Sequence, residues 1–210
     1  MKSFKTIIFI LCFTLISCKN NSKEITNEQI IDSLNYGKNN IKKPKDLKLK
    51  KEFKIDVLGL SIGNTVPEKI DGYKLIKSIK TVEEGNEEPI VKVLENGSEV
   101  IELSYAYDSV NEKFTNKIGE ILIFSDKFRV TNNIGVNSTI EDFIANYSKY
   151  SIWYSYINNI FVIETENNNI QFLLDENSYT GKSDLFESDM VELKKEDFIK
   201  NTKIKAIRIY

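Results

Sequence analysis

The 210-residue chain contains no histidine. That removes the commonest general base, the commonest metal ligand and every Ser-His or Cys-His nucleophile pair. Its two cysteines, Cys12 and Cys18, both fall within the first 18 residues. The rest therefore has no disulfide and no thiolate, which with the missing imidazole leaves no ordinary zinc ligand set. Ser-x-x-Lys and Gly-x-Ser-x-Gly are also absent, so the usual histidine-free serine motif and the nucleophile elbow are missing. Carboxylates are plentiful, but their spacing singles out no acid and base pair; no catalytic residue, cofactor or metal is expected. A fold without staples must be held by its hydrophobic core, and the residues from 55 onward are enough for one domain.

The amino terminus has a clear pattern. Lys2 and Lys5 precede an apolar run from Thr6 to Ile16, then Ser17 and Cys18, the layout of a secretory signal. The run is shorter than the roughly 20 residues a spanning helix needs, and polar Lys19-Asn20-Asn21 follows at once. Leu15-Ile16-Ser17-Cys18 resembles the lipobox of bacterial lipoproteins. The resemblance implies a signal peptide over 1–17, cleavage before Cys18, lipidation of Cys18 and attachment to a membrane of the cell envelope. Lys19 stands where lipoproteins kept at the inner membrane of enteric bacteria usually carry aspartate. By that analogy the protein faces the periplasm from the outer membrane.

Charge divides the remainder. From Lys38 to Lys54 there are eight lysines against Asp46 and Glu52, whereas residues 55–210 hold 17 basic and 26 acidic groups. The first stretch, with Pro44 and a short helix capped by Thr26 and Gln29 and ended by Gly37, reads as a tether over 18–54. Lysines beside a lipid anchor gain about 1 kcal/mol each from an anionic leaflet, but a solvated spacer is the simpler account of them. The acidic body has the wrong sign for nucleic acid.

Residues 55–210 read as an α+β domain, mainly antiparallel β-sheet with two or three short helices. Strands are expected at 55–62, 73–82, 89–94, 99–107, 120–125, 150–157, 160–165, 170–175 and 204–210. Asn96-Gly97 between two of them is a strong hairpin signal. In the last strand, plain alternation sets Ile204, Ala206, Arg208 and Tyr210 against Lys205, Ile207 and Ile209. Helices are expected at 139–147 and within 183–201. Ile62-Gly63-Asn64-Thr65-Val66 with Glu68, and Ile134-Gly135 through Thr139-Ile140 with Asp142, share one grammar of glycine, capping residue and apolar segment. An internal duplication would account for it, as would convergent cap chemistry.

The run Ile123-Phe124-Ser125-Asp126-Lys127-Phe128-Arg129-Val130-Thr131, followed by Gly135 to Thr139, a helix and a tyrosine, resembles small envelope lipoproteins, including the stress-regulated lipoprotein family of enteric bacteria. The Gly-to-helix units resemble, more loosely, modules of outer-membrane assembly lipoproteins and of β-lactamase-inhibitor-like proteins. These resemblances imply an α+β envelope lipoprotein with a scaffolding or binding role, and they carry no catalytic residues.

Three local patterns were weighed as sites. Gly181-Lys182-Ser183 lacks the earlier glycine of a phosphate loop, with Glu176 in its place. Asp175, Asn177, Ser183 and Asp184 have calcium-like spacing but lack the glycine and final carboxylate of an EF-hand. The acidic turn Glu83 to Glu88 is a hairpin tip by the simpler account. The best candidate binding surface is the aromatic strand carrying Trp153, Tyr154 and Tyr156 with the turn Gly135 to Thr139, and its partner would be an envelope protein or a glycan. Core packing of the same aromatics is the competing account. The function expected is non-catalytic binding or scaffolding at the membrane. The rivals are an enzyme acting on envelope polymers through carboxylates and an immunity or inhibitor protein.

Overall fold

The computed structural model describes residues 55–82, 85–166, 169–182, 184–186 and 188–210. Cys18, the helix expected near Thr26, the lysine-rich tether and Glu83-Glu84 lie outside them. Nine antiparallel strands form one sheet: β1 (Lys74–Thr81), β2 (Glu87–Glu95), β3 (Ser98–Asp108), β4 (Lys113–Ile123), β5 (Ser151–Ser155), β6 (Ile160–Glu164), β7 (Ile170–Leu174), β8 (Met190–Leu193) and β9 (Ile204–Ile209). Their order across the sheet is β1-β2-β3-β4-β9-β7-β6-β5-β8. One α-helix, α1 (Ile140–Asn146), and two 3-10 turns, Glu176–Ser178 and Lys195–Asp197, complete the described elements. The fold is thus mostly β, and α+β only in a loose sense.

The Asn96-Gly97 hairpin forms as the residues require: Asn96 has φ 50° and Gly97 φ 85°, the left-handed pair that matches the twist of the flanking strands. Helix α1 starts where expected. Thr139 Oγ1 accepts from the Asp142 amide (3.1 Å), and Asp142 Oδ2 accepts from the Thr139 amide (2.9 Å), closing a reciprocal cap.

Two elements differ from the sequence expectation. Residues 55–62 are not a strand; the chain turns through Leu58 (φ 57°) and Gly59 (φ 72°) and buries Val57 in the core. Their apolar character serves as a plug over the sheet. Within 183–201 there is β8 and a 3-10 turn in place of an α-helix. Val191 and Leu193 alternate with Glu192, a period of two that pairs with β5.

The sheet has a covered and an open face. On the covered face Val91, Leu103, Ile121, Ile207, Phe172 and Ile163 meet Val57, Val66, Val130, Ile134 and Phe143 from the connecting segments, each contributing about 1.5–3 kcal/mol of burial. Phe143 anchors α1 by meeting Phe172 edge-on at 5.0 Å. A smaller cluster, Val162, Leu173 and Ala206 with Leu122, Trp153 and Ile160, lies on the open face. Plain alternation fails in β9. The partner of Leu173 is Ala206 but that of Leu174 is Ile204, so Lys205 is bulged out and Ile204 rejoins Ile207 on the covered face.

The sheet is an internal repeat. Gly63 N donates to Ile118 O (2.8 Å), Ile118 N to Asn64 O (2.8 Å) and Val66 N to Asn116 O (3.2 Å); Asn137 N donates to Ile204 O (2.9 Å), Ile204 N to Ser138 O (2.9 Å) and Ile140 N to Thr202 O (3.0 Å). The bridge Thr65 to Lys117 answers Thr139 to Lys203. In the next layer, Ile101, Leu103 and Tyr105 pair with Ile123, Ile121 and Ile118, while Ile170, Phe172 and Leu174 pair with Ile209, Ile207 and Ile204. Gly119 is skipped in one ladder where Lys205 is skipped in the other. At the centre Ile121 pairs with Ile209, Leu122 with Arg208 and Ile123 with Ile207, a register that maps onto itself when the halves are exchanged. A pseudo-two-fold axis therefore passes beside Leu122 and Arg208. The repeat aligns Gly63 with Asn137, both at positive φ (80° and 69°), and not with Gly135, so the shared glycine of the two sequence motifs is out of register.

Candidate functional site: the open face

A groove of about 560 Å³ runs over the open face, lined by Lys80, Glu88, Ser104 and Glu120 from the first half, Arg208 from β9, and Ile157 and Asn158 from the β5–β6 turn. Residues from β1 and from the β5–β6 turn border one hollow, although six strands lie between β1 and β5 in the sheet order; the open face is concave there. The bulge at Gly119 helps set this curl. A Cβ at Gly119 would lie 2.7 Å from the Cα of Ala106, so only glycine permits β3 and β4 to close up at that point.

Two acids on this face are ion-paired. The Glu102 carboxylate is buried and accepts from Lys80 Nζ at 3.1 Å, and Glu120 accepts from Arg208 Nε. In the low dielectric of a half-buried groove each acid needs its cation. Across the pseudo-axis, Gln171 stands where Glu102 stands. It is buried, its Nε2 donates to Tyr210 Oη (3.2 Å), and its Oε1 has no partner among the described residues. Burial, and next the charge of Glu164, raise the pKa of Tyr210 against the opposing effect of Arg208. The arrangement offers donors, acceptors and a guanidinium beside aliphatic surface, which suits recognition of a polar, extended ligand. Glu102 and Glu120 are each committed to a cation.

The structure separates the residues of the expected aromatic surface. Trp153 is half-buried on the open face and donates from Nε1 to Glu164 Oε1 at 3.0 Å. Tyr154 is on the covered face, 5% exposed, 4.8 Å from the Phe161 ring, with its hydroxyl donating to Asn159 Oδ1 (2.9 Å). Tyr154 is a core residue. Tyr156 is half-exposed beyond the end of β5 and meets the exposed Phe186 ring at 5.4 Å. The turn Gly135 to Thr139 bonds to residues 202–204 on the covered side, and Trp153 faces away from it. Arg129 braces that turn, donating to Asp126 O (3.0 Å), Asn133 O (2.9 Å) and Ser138 Oγ (3.3 Å).

The acidic loop is spent on local turns. Asp175 Oδ1 accepts from the Asn177 amide and side chain (both 3.1 Å), and Asp184 Oδ1 accepts from the Phe186 amide (2.9 Å). Among the described residues no group of three metal-ligating side chains converges. A Cβ on Gly181 would strike the Tyr179 ring at 2.7 Å, so that loop packs against an aromatic. Among the described residues no helix is long and apolar enough to cross a membrane.

No protein-family model matches the chain, and no curated protein matches its sequence. Among solved structures, the crystal structure of the uncharacterized protein yfeY from Escherichia coli is similar, with a TM-score of 0.51 and 18% sequence identity over 73% of this chain and 94% of that one. The likeness is one of fold.

Proposed function

We propose that this chain is a lipid-anchored envelope protein, held at Cys18 and spaced by residues 18–54, whose sheet binds a partner on its open face without catalysing a reaction. The observation that carries the reading is the concave open-face groove, lined by Lys80, Glu88, Ser104, Glu120 and Arg208 with Ile157 and Asn158, and braced by the ion pairs of Lys80 with Glu102 and of Arg208 with Glu120. The lipobox supports the anchor, and the sheet shares its fold with yfeY, an uncharacterized protein of Escherichia coli. The partner is a protein or glycan of the envelope, and the membrane face is the periplasmic side of the outer membrane.

Photo-crosslinking in cells tests the groove. A crosslinker at Ser104 or Ile157 should capture one partner species that a crosslinker at exposed Lys200 does not. Equal labelling at all three positions would remove the open face as the site. The anchor is tested separately: Cys18→Ser should leave uncleaved precursor or release the protein from membranes, since stable attachment takes more than one acyl chain. An unmodified mature amino terminus by mass spectrometry would overturn lipidation.

A further inference from the structure

Strands β1 and β5 are equivalent under the pseudo-two-fold axis, yet β5 has β8 on its outer side while β1, among the described residues, has no outer neighbour. The groups of β1 that bond to no described strand follow from its pairing with β2. Val82 N donates to Asn86 O (2.8 Å) across the β1–β2 turn. By the alternation of an antiparallel ladder, Lys80, Ser78 and Ile76 spend their amides on β2, and Thr81, Ile79 and Lys77 direct theirs outward. In the other half, Tyr156 N donates to Asp189 O (3.1 Å), and the same alternation turns Tyr154 and Ile152 toward Val191 and Leu193, their partners on β8. The repeat matches Lys77 with Ile152 and Ile79 with Tyr154. The positions that hold β8 on one side are the positions left open on the other.

We propose that the outer edge of β1 takes an added antiparallel strand from a partner protein, an extended segment in which apolar residues alternate with carboxylates. Two observations choose that chemistry. β1 carries Lys74, Lys77 and Lys80 and no acid, with Ile79 63% exposed and Ile76 37% exposed between them; Lys80 is held by buried Glu102 and Lys77 meets Glu68 in an exposed pair, so Lys74 and Lys77 are the cations that face a partner. The strand filling the equivalent position, Met190-Val191-Glu192-Leu193 after Asp189, is itself apolar and acidic. Lysines on a bare edge repel like-charged strands. A second copy of β1 would add three lysines and no acid to an edge that already holds three, with only Glu68 and Glu102 as counter-charges, so the occupant is an acidic strand and not β1 of another molecule. This site lies at the sheet's rim and does not rest on the open-face reading.

The test uses the full chain in detergent and a fluorescein-labelled peptide with the sequence of residues 186–195, beside a control in which every acid of that peptide is lysine. The acidic peptide should bind at least about tenfold more tightly at low salt, and hydrogen exchange should slow within residues 75–81. Ile79→Pro removes an outward donor while sparing the β1–β2 ladder and should abolish binding, leaving open-face crosslinks intact. Lys74→Glu with Lys77→Glu, both exposed, should reverse the preference toward the lysine peptide. Equal binding of the two peptides, unchanged exchange in 75–81 on binding, or protection of those amides by self-association without peptide would each overturn the proposal.

Discussion

From Thr139 to Tyr147 the second half of the repeat builds α1; from Thr65 to Tyr73 the first half covers the same interval without a helix. Both intervals begin on a threonine bridged to the sheet, place an acid three residues later, and send Ile144 or Ile70, then Tyr147 or Tyr73, against the core. The difference is at the anchor. Phe143 is fully buried, whereas Lys69 in the matching place is exposed and pairs with Asp71 at 2.6 Å. Asp71-Gly72 then turns the chain at φ 83° where the other half has Ala145-Asn146. A helix of seven residues is too short to stand on its own hydrogen bonds, so one buried ring decides whether the interval is helical. The ladder beneath is indifferent to the outcome, because its bonds come from the bridged threonine segment and not from the helix.

That comparison can be broken most forcefully at the anchor itself. Phe143→Ala should cost about 3–5 kcal/mol in urea unfolding, and Lys69→Ala at the equivalent place should stay within about 0.5 kcal/mol; similar costs would mean the halves do not differ by this ring. The bulges come next. Gly119→Ala should lose about 1–3 kcal/mol, since its Cβ meets the Ala106 backbone, while Lys205→Ala, already bearing a Cβ, should change stability by less than about 1 kcal/mol. Removing the caps is a smaller perturbation: Thr139→Ala should cost about 1 kcal/mol of stability with loss of helical circular dichroism, and Thr65→Ala should leave that signal unchanged. The mildest effect is on pH. The Thr139 amide, followed by its hydroxyl, holds the Asp142 carboxyl below its ordinary pKa. A depressed carboxylate adds stability above its unfolded pKa near ~4 and loses it as pH falls through the folded value. Asp142→Asn should therefore lower stability at neutral pH, leave it unchanged below the folded pKa of Asp142, and so flatten the acid limb of the profile.

What was legible in the sequence is what neighbouring residues decide. Asn96-Gly97 fixes its own turn, Thr139 with Asp142 fixes its own cap, and alternation placed Trp153 and Tyr154 on opposite faces. Which of those faces is buried depends on Val57, Val130 and Phe143 arriving from elsewhere, so Tyr154 could not be told from a surface ring. The groove was illegible for the same reason. Lys80 meets Glu102 from 22 residues away, and Arg208 meets Glu120 from 88, and no short-range spacing marks either pair. Apolar 55–62 satisfies the composition of a strand, yet Leu58 and Gly59 take positive φ and the segment ends as a plug. The bulge at Lys205 defeated simple alternation because it exists only in the pairing with β7. The repeat was visible as a shared grammar, but its true register appeared only through the matching hydrogen bonds.

The place of β9 has a consequence for how the molecule is made. Its six residues lie between β4 and β7, although they come after every other described strand in chain order. The β1–β4 meander can assemble early from adjacent hairpins, whereas joining the halves requires β4 to wait for a strand some 86 positions downstream, a closure that is slow for a chain of this size. Until then β4 and β7 expose hydrogen-bonding edges at the middle of the sheet. Disrupting β9 alone would split the sheet along its centre, so the union of the two halves hangs on one short strand and its failure leaves two open seams at once.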